Sequence, residues 1–258
     1  MGVVIAVVNQ KGGVGKTTTA VNLATTLSLR RKRVLLVDFD PQGNATTGIG
    51  IEKEILKFTV YDSLINNFSL RDLIIPTPVS PLYIVPANLD LAGAEIELAN
   101  SPQRENVLRD KLKEIKGEFD YILIDCPPSL GLLTLNALVS AELLIIPVQC
   151  EYYAMEGLVQ LFEIIREVRA SLNPQLKILG ILLTMADNRT NLTHQVISEI
   201  RRHFPRETLK TVIPRNIRIS ESPSYGKPVV LYSPRCNGAK SYYKLTKEVM
   251  KRVQKGIR

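Results

Sequence analysis

The segment Gln10-Lys11-Gly12-Gly13-Val14-Gly15-Lys16-Thr17-Thr18 lies between the apolar run Val3-Val4-Ile5-Ala6-Val7-Val8 and a stretch of helical character from Thr19 to Leu29. Strand, glycine-rich loop and helix, in that order, are what a phosphate-binding loop requires. Gly12, Gly13 and Gly15 let the backbone curl until its N–H groups point at one anion. The following helix turns its positive N-terminus toward the same anion. In such a loop Lys16 reaches the β- and γ-phosphates of a nucleotide and the Thr17 hydroxyl ligates Mg²⁺. Gly12, Gly13, Val14, Gly15, Lys16, Thr17 and Thr18 are therefore the candidate nucleotide cradle.

Outward from the loop, short apolar runs alternate with amphipathic stretches. Strands are expected at Val3–Val8, Val34–Asp38, Leu82–Val85, Tyr121–Asp125, Leu143–Val148, Ile178–Thr184 and Thr211–Ile213. Helices are expected at Thr17–Leu29, Leu89–Asn100, Gln103–Lys116, Leu130–Ser140, Met155–Ser171, Leu192–Phe204 and Gly238–Val253. Continuous Val/Ile/Leu strands imply helices on both sheet faces. The alternation implies an α/β fold with a doubly wound, mostly parallel sheet flanked by helices. A length of 258 residues fits one domain, 1–258, better than two. The stretch Pro76–Pro86 reads as a connection inside it. Ligands of open parallel sheets bind beyond the carboxyl ends of the strands. That rule brings Asp38 and Asp40, and Asp125 at the end of Tyr121-Ile122-Leu123-Ile124-Asp125, close to the glycine loop.

Composition narrows the function. No stretch approaches the roughly 18 apolar residues of a membrane span, and Lys11 and Lys16 interrupt the first apolar run, so no signal peptide is expected. The three cysteines, Cys126, Cys150 and Cys236, are few, odd in number and lack C-x-x-C spacing, which argues against a disulfide framework and structural zinc. Charge is uneven. Residues 1–160 carry 14 Lys+Arg and 18 Asp+Glu, and residues 161–258 carry 19 and 7. A basic C-terminal part points to a polyanion partner, nucleic acid or anionic lipid.

The loop departs from the common G-x-x-x-x-G-K-[ST] pattern: Gln10 replaces the first glycine, and Lys11 adds a second lysine. It resembles the deviant Walker A loop, K-G-G-x-G-K-[ST], of the ParA/MinD/nitrogenase-iron-protein group of P-loop ATPases. Val37-Asp38-Phe39-Asp40-Pro41-Gln42-Gly43-Asn44 resembles the switch I of ParA proteins, and Asp125-Cys126-Pro127-Pro128 their D-x-P-P switch II. Pro147-Val148-Gln149-Cys150-Glu151-Tyr152-Tyr153-Ala154-Met155-Glu156-Gly157-Leu158 resembles the ParA/Soj branch specifically. The resemblance runs from residue 3 to about 250. It implies ATP and Mg²⁺ as cofactors and slow, partner-stimulated ATP hydrolysis. Lys11 would cross a dimer interface to the partner's phosphates, Asp40 would orient the attacking water, and Asp38 and Asp125 would lie near the Mg²⁺ shell. Backbone at Pro214, Arg215 and Asn216 is a candidate for base recognition; Met185 stands where several relatives place Asn.

The same resemblance implies an ATP-dependent homodimer that binds double-stranded DNA non-specifically through Arg189 and Arg218; Arg201, Arg202, Arg206 and Lys227, in the basic C-terminal part, are further candidates for phosphate contacts. It implies a ParB/Spo0J-like protein as the stimulating partner and a cytoplasmic, nucleoid-associated location. The chain starts at the first strand, so the N-terminal helix-turn-helix of larger plasmid ParA proteins is not expected. The alternative is a MinD-like membrane-associated positioning ATPase, whose basic amphipathic tail would correspond to the helix from Tyr242, with apolar Tyr242, Leu245, Val249 and Val253. A membrane is not the expected partner, because the tail lacks a bulky Phe/Leu face. An iron–sulfur reductase is disfavoured by the lack of a cluster-ligand cysteine pair.

Overall fold

The buried strands are apolar on both faces, so they order themselves into a sheet between two helical layers. The computed structural model describes residues 2–256. Its strands are β1 (Val3–Val7), β2 (Val34–Asp38), β3 (Ile75–Pro76), β4 (Leu82–Val85), β5 (Tyr121–Asp125), β6 (Leu143–Gln149), β7 (Lys177–Ala186) and β8 (Thr208–Pro214). They form one sheet in the order β3-β4-β2-β5-β1-β6-β7-β8. Every neighbouring pair is parallel except β3–β4. The helices are α1 (Lys16–Ser28), α2 (Asn44–Gly48), α3 (Val60–Ile65), α4 (Leu91–Glu97), α5 (Val107–Lys113), α6 (Leu132–Ser140), α7 (Ala154–Ser171), α8 (Asn191–His203), α9 (Ile217–Glu221), α10 (Val229–Tyr232) and α11 (Asn237–Gln254).

The period of two along β1 divides the core. Val4, Ala6 and Val8 join one apolar layer, with α5, α6 and α7. Ile5 and Val7 join the other, with α1 and α11. Strand side chains alternate between faces, so one central strand contributes to both layers.

Several elements differ from the sequence expectation, each for a local reason. The helix expected from Gln103 starts at Val107, because Gln103 takes a left-handed φ of 54° and Asn106 N donates to Gln103 O at 2.8 Å, closing a turn first. The helix expected over Leu89–Asn100 spans Leu91–Glu97 and tightens into a 3-10 turn over Leu98–Asn100. Strand β8 is longer than Thr211–Ile213. The amides of its edge residues Lys210 and Thr211 donate to the Glu248 carboxylate at 2.7 and 2.9 Å, which satisfies a strand edge that apolar patterning cannot reveal. The two-residue β3 contains a proline, permissible because it lies at the sheet edge.

Gly180 of β7 allows β8 to approach. A Cβ there would stand 2.4 Å from Leu209 Cγ, and Leu209 is fully buried. Gly180→Ala is therefore expected to lower unfolding free energy by about 1–3 kcal/mol through overpacking. Urea denaturation measures this; an unchanged midpoint would contradict the described β7–β8 packing.

Candidate nucleotide site

The loop after β1 is clamped from two neighbouring strands. Asn9 Nδ2 donates to Pro147 O at 2.7 Å, and Asn9 Oδ1 accepts from Lys11 N at 3.0 Å. The Thr184 hydroxyl, on β7, donates to Val14 O at 2.9 Å. Gly13 and Gly15 take φ of 73° and 91°, the left-handed region where glycine carries no steric cost. Helix α1 then starts with no acidic residue in its first turn and no side chain capping its amides. Those N–H groups are oriented for an anion.

Lys16 is buried, with 6% of its surface exposed, and its Nζ donates to Lys11 O at 3.0 Å. Burial lowers its pKa; the negative charge of Asp125 is the largest opposing effect. Lys11 points elsewhere. Its ammonium lies at the surface, 3.0 Å from Glu151 Oε2, and Gln149 Nε2 also donates to that carboxylate.

Beneath the loop, Asp38 and Asp125 are register partners across β2 and β5, and both are fully buried. Asp38 accepts from Thr46 N at 2.8 Å and Thr46 Oγ1 at 2.7 Å. Burial still raises its pKa to about 6. Neither oxygen of Asp125 has a hydrogen-bond partner. Burial first, and then the Asp38 charge, push its pKa well above the usual carboxylate range, with the neighbouring Thr17 hydroxyl opposing. A buried carboxylate without partners is costly, and it is the kind of group that a cation completes. Among the described residues, no set of three or more His, Cys, Asp or Glu is arranged to hold a metal alone. The Thr17 hydroxyl and the two carboxylates are hard oxygen donors near a phosphate cradle, which fits Mg²⁺ completed by phosphate and water.

Asp40 lies in a turn closed by Gly43 N donating to Asp40 O at 2.8 Å. Its Oδ1 accepts from Gln42 N at 2.9 Å, and its charge acts on Lys16. Gly43, at φ 58°, sits where a Cβ would approach Ala87 O to 2.6 Å. Ala87 N in turn donates to Thr46 Oγ1 at 3.1 Å. This turn is thus clipped to the end of β4. A cleft of about 250 Å³ opens beside Thr17 and Thr18, bounded by Asn44, Thr47, Ser222 and Lys227.

The other sequence candidates stand apart. Pro214, Arg215 and Asn216 do not line that cleft. Arg215 N donates to Ala186 O at 3.0 Å, and Asn216 Oδ1 caps α9 by accepting from Arg218 N at 2.9 Å. Met185, at the end of β7, holds φ 51°, a conformation that Asn tolerates better than Met. Arg189 and Arg218 are exposed. Arg189 makes a two-pronged pair with Asp187, at 2.9 and 2.7 Å, which holds the Asp187 carboxyl below the usual range. Arg218 pairs with Glu221 at 2.9 Å. Lys227 borders the nucleotide-side cleft, and Arg201 donates to Lys210 O at 3.4 Å. Thr46, Asn9, Thr184 and Glu151 are site residues that sequence reasoning passed over. Only Thr46 carried a signal, a hydroxyl in the short helix after the acidic turn.

Known proteins are similar to this chain. A family model described as an AAA domain matches residues 2–178. The chain is 53% identical over 252 residues to the chromosome partitioning protein ParA of Myxococcus xanthus, covering 98% of this chain and 89% of that one. It is 56% identical over 249 residues to the sporulation initiation inhibitor protein Soj of Bacillus subtilis, covering 96% and 98%. Among solved structures it resembles cobyrinic acid a,c-diamide synthase from Mycobacterium smegmatis with bound ADP and magnesium, with a TM-score of 0.87, 36% identity and coverage of 99% and 97%. It also resembles the cell division ATPase MinD of Pyrococcus furiosus, with a TM-score of 0.80, 28% identity and coverage of 97% and 99%.

An ionised carboxylate with a raised folded-state pKa costs stability above that pKa and nothing once protonated. Asp125→Asn is therefore expected to stabilise the nucleotide-free protein by on the order of 1 kcal/mol near pH 8, with the gain shrinking as pH falls. The same change should abolish Mg²⁺-dependent nucleotide affinity. Thermal unfolding and nucleotide titration test both; a destabilised variant would contradict the charge cost assigned to Asp125.

Proposed function

We propose that this chain, which belongs to the ParA/Soj family of chromosome-partitioning ATPases, is an ATP-dependent dimerisation switch that binds DNA without sequence preference. The observation that carries the reading is the division between the two loop lysines. Lys16 is buried in its own site, whereas Lys11 lies exposed at the rim on a surface ion pair. Surface pairs contribute little, about 0–1 kcal/mol, so Lys11 is easily released to a second subunit's phosphates. ATP then stabilises a dimer in which each subunit completes the other's site.

Phosphoryl transfer needs positioning and charge stabilisation more than covalent help. The loop amides and Lys16 hold the phosphoryl oxygens. Asp40, on its clipped turn, orients the attacking water. Thr17, with Asp125 and Asp38 behind it, would hold Mg²⁺, which would supply charge neutralisation to the phosphates. Basal turnover is slow, and a ParB/Spo0J-like protein stimulates it, dissolving the dimer and releasing DNA. Cycles of this kind move chromosome or plasmid DNA over the nucleoid in the cytoplasm. Arg189 and Arg218 supply phosphate contacts, giving salt-sensitive and sequence-tolerant binding. The MinD-like reading lacks support from α11, because Tyr242, Leu245 and Val249 are buried against the core rather than free to enter a bilayer.

Lys11→Ala should bind ATP within about twofold of the parent, since uniform phosphate contacts remain, yet show no ATP-induced dimer by light scattering. A normal dimer would remove Lys11 from the interface. Arg189→Glu with Arg218→Glu should reduce affinity for random-sequence duplex at least about tenfold at low salt while leaving dimerisation intact; undiminished DNA affinity would place the binding surface elsewhere.

A further inference from the structure

Helix α11 carries Lys240, Lys244, Lys247, Lys251 and Lys255 at or just beyond its 18 residues, all of them exposed. At 100° per residue the five fall within about 80° of one another, forming a single stripe about 22 Å long. None of them makes an ion pair or a side-chain hydrogen bond among the described residues. The other basic residue of the helix, Arg252, behaves differently. It turns inward and donates to Leu179 O at 2.8 Å and Thr208 O at 3.0 Å. Glu248 is the helix's one acidic residue. Its carboxylate faces β8, taking the Lys210 and Thr211 amides and the Thr211 hydroxyl, with Arg252 3.6 Å away. The stripe is thus a row of like charges that no ion pair among the described residues neutralises. Adjacent lysines at spacings of three and four repel and disfavour the helix.

The opposite face of α11 fixes the stripe in place. Tyr242, Leu245 and Val249 are fully buried. At the start of the helix, Gly238 lies so close to α9 that a Cβ would stand 2.7 Å from Ile219 Cδ1. The stripe begins at Lys240, two residues beyond this contact, and faces away from it. With its apolar face committed to the core, α11 can meet a polyanion only by charge. Lipid surfaces are held firmly by apolar insertion combined with charge, whereas duplex DNA is held by phosphate contacts alone.

We propose that the outer face of α11 is a second phosphate-binding surface, on which the five lysines follow the backbone of duplex DNA for about six base pairs. The proposal rests on the reading of the chain as a DNA-binding switch. In a dimer the two stripes would lengthen the DNA footprint of each subunit without adding sequence preference, because phosphate contacts carry none.

The test replaces all five lysines with glutamine, which preserves helix propensity, and in a second protein with arginine, which preserves charge. Binding of random-sequence duplex with ATP is measured from low to moderate salt, beside vesicles of phosphatidylglycerol and phosphatidylcholine. The glutamine variant should lose at least about tenfold in affinity at low salt, and its log–log salt slope should be shallower by about 4 to 5, roughly 0.9 for each of the five lost phosphate contacts. Dimerisation and DNA-free ATP turnover should match the parent. The arginine variant should bind as the parent does. A parent that binds DNA and a glutamine variant with the same affinity and slope would overturn the stripe alone. Loss of vesicle binding with the DNA slope unchanged would assign the stripe to lipid and also overturn it. A parent with no DNA affinity in any nucleotide state would overturn the DNA-binding reading itself.

Discussion

Two carboxylates lie side by side, fully buried, at the ends of β2 and β5, and the half-neutralising lysine beside them is itself desolvated. This is an unfavourable way to leave charge in a protein interior. Burial pushes both acids toward their neutral forms, and neither oxygen of Asp125 has a hydrogen-bond partner, although the neighbouring Thr17 hydroxyl opposes the shift. Such a site is destabilised until a cation and phosphates complete it, so ligand binding and local order are linked.

The rest of the architecture holds this pair in position and reports on it. The register of the central strands sets Asp125 opposite Val7 on one side and Asp38 on the other. Thr46 carries the position of Asp38 to α2 and, through Ala87 N, to the end of β4. On the far side, Thr184 of β7 holds the loop at Val14, and three residues later the same strand end delivers Asp187 and its partner Arg189. The nucleotide loop and the proposed DNA surface therefore share one rigid element, β7, with the unfavourable backbone of Met185 between them.

Much of this was readable from the chain. The glycine loop announced itself because backbone conformation and phosphate chemistry both demand those residues, and the parallel strands did so because burial on two faces leaves an unbroken apolar run. The short elements α2, α3, α9 and α10 went unread: helices of four to six residues carry too little periodicity and are set by tertiary contacts. The pairing of Lys11 with Glu151 spans 140 positions, and no local pattern reports it.

The central claim is that burial shifts Asp38 and Asp125 toward their protonated forms and that a bound cation reverses the shift. Calorimetric titration of the nucleotide-free protein with preformed MgATP, repeated at about pH 6 in buffers of different ionisation enthalpy, measures the protons exchanged on binding. Net proton release, lost when Asp125 is replaced by asparagine, is the predicted result. A binding heat that does not depend on the buffer would mean that Asp38 and Asp125 are already ionised in the empty site, and would contradict the account.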